Sequence, residues 1–162
     1  MQIRIAGLVP ESFVDGAGVR FAVFMQGCKR HCRGCHNPQT QDLNGGTLMD
    51  TADIIDEFKK NSLASGITLT GGEPFLQVDA AIELARAAKN IGMNVWCYTG
   101  YTFENLFPEA GKMLKYVDVL VDGEYRQDER DLTLLFRGSK NQRVIDLNET
   151  RKQNKIVLWS LR

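Results

Sequence analysis

The chain reads as an α/β protein, an open partial (β/α)6 TIM-like barrel with a mostly parallel sheet. Three observations predict it. Strand-like apolar runs alternate with helical patterns, as βα units and a parallel sheet require. Polar or glycine-rich motifs follow five of these runs, and ligand sites in parallel sheets gather at the carboxyl ends of strands. The length of 162 residues falls short of the roughly 200 that a closed eight-stranded barrel usually needs.

The first strand is expected over residues 19–25, ending at Gly27 and Cys28. Ile54, Ile55 and Phe58 then recur at helical spacing behind Asp50 and Thr51, which suit a helix start. A second strand over 67–70 runs into Gly71-Gly72-Glu73-Pro74, and Ala80, Ala81, Leu84, Ala85 and Ala88 mark a second helix stopped by Gly92. A third strand over 94–98 leads to Thr99-Gly100. The helix expected after Thr102 carries Phe103, Leu106 and Phe107, and Pro108 kinks or restarts it. Strands over 117–121, 132–136 and 156–159 complete the pattern, with Asp122-Gly123 after the fourth and Arg137-Gly138-Ser139 after the fifth. Five loops can thus meet at one end of the sheet.

Composition narrows the class. Nothing in it splits the chain, so residues 1–162 are read as a single domain with room for a real core. Basic and acidic side chains both number 20 and the isoelectric point is near 6.7, which argues against the basic footprint of a nucleic-acid binder. Residues 1–10 lack the apolar core of a signal peptide, and no later run reaches the roughly 18 apolar residues of a membrane span. The expectation is a cytoplasmic protein with neither nucleic acid nor membrane as partner.

Three of the four cysteines, Cys28, Cys32 and Cys35, crowd one loop. Without an export signal, such spacing favours metal binding over disulfides. Soft thiolates suit iron-sulfur clusters and zinc alike. Three ligands would leave one iron of a four-iron cluster open, whereas a closed zinc site would need His31, His36 or Cys97 as fourth donor. Cys97 lies in the strand-like run 94–98 and is expected to be a small core residue. Lys29, Arg30, His31, Arg33 and His36 surround the thiols, and cations at that range favour the thiolate. Gly71 and Gly72 let main chain approach a ligand closely, and Glu73 can offer a carboxylate to a cationic group. Gly-Gly also marks ordinary turns.

Together, C-x3-C-x2-C and the downstream Gly-Gly-Glu resemble the radical S-adenosylmethionine superfamily. Further stretches are similar to the activating proteins of anaerobic ribonucleoside-triphosphate reductases within it: residues 14–20 (Val-Asp-Gly-Ala-Gly-Val-Arg), Cys35-His36-Asn37, 96–101 (Trp-Cys-Tyr-Thr-Gly-Tyr), 119–125 (Val-Leu-Val-Asp-Gly-Glu-Tyr) and 137–142 (Arg-Gly-Ser-Lys-Asn-Gln). Ala17 stands where the family often has proline, leaving that loop less rigid. Gly34 stands where many superfamily members carry an aromatic residue, and the reductase activators commonly have glycine there.

The resemblance implies that Cys28, Cys32 and Cys35 hold a 4Fe-4S cluster whose open iron binds S-adenosylmethionine. Gly34, Cys35, His36 and Asn37 would line the cofactor, and Gly72 with Glu73 would engage its methionyl end. It implies cleavage to a 5'-deoxyadenosyl radical, an external one-electron donor such as flavodoxin, and a glycyl radical left on the anaerobic ribonucleoside-triphosphate reductase. The alternatives are an activase of another glycyl-radical enzyme such as pyruvate formate-lyase, a small-molecule radical enzyme, a zinc-stabilised interaction module and a small electron-transfer protein. For Asp15, Asp122, Arg137 and Ser139, ligand contact and internal turn or ion-pair roles both stay open. Trp96 and Tyr98 are expected to divide between core and site.

Overall fold

The computed structural model describes residues 1–161. Its strands are β1 (Gln2–Ser12), β2 (Arg20–Met25), β3 (Thr47–Asp50), β4 (Gly66–Gly71), β5 (Asn94–Tyr98), β6 (Val119–Asp122) and β7 (Arg143–Asp146). They form one sheet in the order β3-β1-β2-β4-β5-β6-β7. Strands β2, β4, β5 and β6 run parallel at the centre, while β1, β3 and β7 extend the edges antiparallel. The sheet ends at β3 and β7 and does not close, so the α/β architecture is open as expected.

Helices form where the apolar spacing asks for them. In α1 (Thr51–Lys60) the Asp50 side chain accepts the Ala52 N–H, and Ile54 and Phe58 face inward. In α2 (Val78–Asn90) the buried stripe is Ala80, Ala81, Leu84, Ala85 and Ala88, and Gly92 ends the helix at φ +82°. Pro108 separates a short 3-10 turn at Phe103–Asn105 from α3 (Ala110–Leu114). Asp146 caps α4 (Leu147–Gln153) by accepting the Glu149 N–H at 3.0 Å.

Strand alternation sorts the central residues onto two faces. Phe21, Val23, Met25, Ile67, Leu69, Val95, Cys97 and Leu120 join the large core beneath the helices. Trp96, Val119 and Val121 point the other way, into a smaller cluster with Ala17, Tyr98, Phe136, Val144 and Trp159. That second face carries no helix layer; loops cross it.

Two expected strands are not strands. Residues 132–136 form turns, because Asp131 Oδ1 captures the Thr133 N–H at 2.9 Å and the hydroxyl at 2.5 Å. Residues 156–159 run beside β7 and touch it through one isolated bridge, Ile145 to Leu158, with no continuous ladder. Three real strands lay outside the expected set: β1, β3 and β7. The expected six βα units are therefore a four-stranded parallel centre with antiparallel borders.

Candidate metal centre and cofactor cleft

At the carboxyl ends of β2, β4, β5 and β6 lies a cleft of about 670 Å³. Its walls come from the loops the sequence singled out: Cys28, Cys32, Cys35, His36 and Asn37 after β2, Gly71 to Glu73 after β4, Thr99 and Gly100 after β5, Gly123 after β6, and Arg137 and Gly138 beyond.

The cysteine loop is closed by main chain. Gly27 N–H donates to Thr40 O at 2.7 Å and Cys28 N–H to Gln41 O at 3.2 Å, while the buried Gln26 amide donates to Gln39 O and Asp42 O. Cys35 N–H donates to Cys32 O, and Asn37 N–H reaches Cys35 Sγ at 3.4 Å. All three thiols are half-buried and free. Burial pushes the Cys28 and Cys32 thiols up, and nearby acids and cysteines add to it: Glu73 and Cys35 for Cys28, Glu124, Cys28 and Cys35 for Cys32. The expected cationic bias toward thiolate is therefore outweighed. Arg30 opposes the rise at Cys28, whereas Lys29, His31 and Arg33 are exposed. The Cys28 and Cys32 thiols, held protonated by burial and by neighbouring negative groups, fit a shared positive centre, which would remove their protons on binding.

Of the possible fourth zinc donors, Cys97 and His31 lie outside the cleft lining and His36 lines it. Cys97 is fully buried under the helices, where burial pushes its thiol well up. His31 Nδ1 sits 3.0 Å from Gln41 Oε1, and the His36 ring packs on Tyr125 at 4.9 Å. Among the described residues, no group of three or more His, Cys, Asp or Glu side chains is arranged to hold a single metal ion.

Opposite the cysteines, the loop after β4 rests on the loop after β2. Gly72 N–H donates to Met25 O at 2.7 Å and Glu73 N–H to Gly27 O at 2.8 Å. A Cβ on Gly71 would lie 2.6 Å from Met25 N; one on Gly72 would lie 2.8 Å from the Gly27 carbonyl carbon and closer to its oxygen. Both positions demand glycine for close approach. The Glu73 carboxylate is only 3 % exposed and is already engaged. It accepts from Gly100 N–H at 2.8 Å, Phe75 N–H at 3.2 Å and the Thr99 hydroxyl at 3.0 Å. Burial nonetheless pushes its carboxyl up. Glu73 thus ties the β4 and β5 loops together, behind the half-buried Gly71-Gly72 backbone that lines the cleft.

The remaining expected residues separate. Gly34 turns toward the Gln127 side chain and is not part of the cleft wall. Asp15 lines the cleft and accepts the Ser12 hydroxyl at 2.5 Å. Asp122 is buried beneath the cleft, paired with Arg143 at 2.5 Å and accepting the Phe103 N–H at 2.8 Å. Arg137 donates to Lys140 O and Gln142 O of its own loop, and the buried Ser139 hydroxyl donates to Asn141 Oδ1 at 2.6 Å. Trp96 and Tyr98 share a face and divide along it: Trp96 is buried in the smaller cluster, while Tyr98 lines the cleft and donates to Phe136 O at 2.8 Å.

Sequence reasoning missed two features. Arg30 lies over the Tyr101 ring at 4.4 Å against Gly100, and closes the cleft beside Cys28. Phe13, Val14, Leu134, Leu135 and Phe136 form an apolar rim; the signal was the uncharged run after Asp131, read as a strand.

Comparisons with known proteins bear on the family and the fold. Residues 14–145 match the family described as a 4Fe-4S single cluster domain. The anaerobic ribonucleoside-triphosphate reductase-activating protein of Haemophilus influenzae is 33 % identical over 141 residues, covering 82 % of this chain and 91 % of its own. The protein of the same name from Vibrio cholerae is 35 % identical over 141 residues (82 % and 91 %), and that of Escherichia coli 33 % over 144 residues (83 % and 93 %). Among solved structures, QueE from Escherichia coli superposes with a TM-score of 0.50 at 18 % identity, covering 63 % of this chain and 54 % of QueE, a likeness of fold.

Proposed function

Because the chain belongs to the family of anaerobic ribonucleoside-triphosphate reductase-activating proteins, we propose that it is an iron-sulfur oxidoreductase that cleaves S-adenosylmethionine and leaves a glycyl radical on that reductase. The observation that carries this reading is the meeting of three half-buried thiols with the Gly71-Gly72 backbone in one cleft at the strand ends. Cys28, Cys32 and Cys35 would hold a 4Fe-4S cluster with one iron left open for S-adenosylmethionine. When bound and reduced by an external one-electron donor such as flavodoxin, the cluster supplies the electron that splits S-adenosylmethionine into methionine and a 5'-deoxyadenosyl radical, which takes a hydrogen atom from a glycine Cα of the reductase.

The protein's own contribution is orientation and enclosure. Asn37 N–H donates to the Cys35 sulfur, and hydrogen bonds to ligand sulfurs tune a cluster's potential. Gly72 would engage the methionyl end, held in place by Glu73 behind it, and His36 and Asn37, which line the same cleft, would line the cofactor. Arg30, stacked on Tyr101, shields the Cys28 side from water. The helix-free face gives a macromolecular substrate a way in. No described helix is long and apolar enough to cross a membrane, and the activity belongs in the cytoplasm, without nucleic acid.

The test is anaerobic reconstitution with iron and sulfide, reduction with S-adenosylmethionine present, and quantification of 5'-deoxyadenosine, followed by electron paramagnetic resonance after adding the reductase. The expected result is turnover and a glycyl doublet, both lost in Cys28→Ala. A doublet on pyruvate formate-lyase but not on the reductase would overturn the partner assignment.

A further inference from the structure

We propose that the apolar rim of the cleft, Phe13 and Val14 with Leu134 and Leu135, is the grip for the glycine-bearing segment of the partner protein, which enters as an uncharged, extended loop. This rests on the activase reading above. Phe13 and Val14 are 71 % and 76 % exposed, and Leu135 and its neighbour Leu132 are 49 % and 81 % exposed. Single exposed apolar residues are ordinary, but a contiguous set at the mouth of a site marks a contact surface.

The fold maintains this presentation. Asp131 holds residues 131–134 in turns through its bonds to Thr133 and the Leu134 N–H, and the Arg130–Ser139 bridge closes the loop. Phe136 is fixed at φ +63°, a left-handed conformation rare for an aromatic residue, by the Tyr98 hydroxyl on its carbonyl and by ring packing on Trp96 and Trp159. The run 132–136 is thereby anchored at both ends with Leu132 and Leu135 left outside and Leu134 half-buried.

The occupant follows from what the cleft must do. A glycine Cα brought to this cleft must arrive on a chain that crosses its rim. Phe13, Val14, Leu134 and Leu135 carry no charge, so the crossing segment is apolar or neutral where it meets them; a charged loop would be desolvated without a partner. The surface is continuous with the reaction cleft, which favours the protein substrate over a second copy of this chain.

Phe13→Ser and Leu135→Ser in the reconstituted holoprotein test this separately, with Leu63→Ser as control. Leu63 is 68 % exposed and precedes β4, at the opposite end of that strand from the cleft. The rim variants are expected to raise KM for the reductase on the order of tenfold, while 5'-deoxyadenosine formation without reductase stays at the wild-type rate, which also reports an intact fold. Leu63→Ser should match wild type in both. Rim variants with unchanged KM and unchanged glycyl radical yield would overturn the inference, as would variants that alter only self-association by sedimentation. Wild-type protein that cleaves S-adenosylmethionine but forms no radical on the reductase would instead sink the activase reading, and this inference with it.

Discussion

Removing the Glu73 carboxylate should cost a large share of the stability of this domain. In Glu73→Ala the Phe75 and Gly100 N–H groups and the Thr99 hydroxyl lose their acceptor. Each buried donor left unpaired costs about 1–3 kcal/mol. Relief of the carboxylate's own burial offsets part of that, so a net loss of about 3–5 kcal/mol is expected against a typical total of about 5–15 kcal/mol. Glu73→Gln keeps the shape but sets an amide NH2 against one of the donors, so about 1–3 kcal/mol is expected. The assay is urea denaturation of the apoprotein followed by circular dichroism.

The pH dependence supplies a second arm. Burial raises the Glu73 carboxyl above its ordinary 4.5 in the folded state, so the folded chain keeps a proton that the unfolded chain has lost. This group's contribution is fully present below about pH 4.5 and declines as pH rises through the folded value. The stability advantage of wild type over Glu73→Gln should shrink with rising pH across that window. Variants within about 0.5 kcal/mol of wild type at every pH would refute the bracing role, because that is the range of ordinary surface substitutions.

Three further outcomes are expected. Gly72→Ala should force the β2 and β4 loops apart, costing about 1–3 kcal/mol as overpacking does and lowering iron bound per chain after anaerobic reconstitution. Cys97→Ala should cost about 1–2 kcal/mol for its small cavity yet leave iron content unchanged; loss of iron there would overturn the three-cysteine ligand set. Arg20 is fully buried, is held by Thr68, Ala17, Ile67 and Asn94, and forms no ion pair with a carboxylate among the described residues. Burial lowers its guanidinium to about 10, still charged at neutral pH. Arg20→Met strands no opposite charge but takes the donor from Thr68 Oγ1, Ala17 O, Asn94 Oδ1 and Ile67 O; it should therefore lose about 3–5 kcal/mol in urea denaturation, and should keep 5'-deoxyadenosine formation, since Arg20 sits at the amino end of β2.

The parallel centre was legible because buried parallel strands read as near-continuous apolar runs; β2, β4, β5 and β6 each begin within two residues of the expected start. The edges were not. β1 carries Gly7 and Pro10 and has two register shifts against β2, β3 is four residues long, and β7 begins with Arg143 and ends with Asp146, so their pairing partners, not their composition, make them strands. Residues 132–136 failed in the opposite direction: β-prone side chains were overruled by one aspartate. At the site, Cys28, Cys32, Cys35, Gly71 and Gly72 line one cleft. Single residues at strand ends were ambiguous, and Asp122 and Ser139 proved to be occupied by internal partners. The Arg30 stack on Tyr101 joins residues 71 positions apart, a pairing no local pattern announces.

The main-chain bonds from Gly72 to Met25 and from Glu73 to Gly27 have an evolutionary consequence. The registration of the two halves of the site is stored in peptide units, which every residue type but proline supplies, so apart from the glycines that permit the close approach it does not depend on particular side chains. It is vulnerable instead to arithmetic: a single residue gained or lost between Met25 and Cys28, or between Thr70 and Glu73, would shift every downstream donor off its acceptor. Around the fixed glycines Gly27, Gly71 and Gly72, whose missing side chains allow the close approach, the lineage is bound in spacing more tightly than in spelling, and a homologue that keeps those glycines and intervals should still assemble the same cleft.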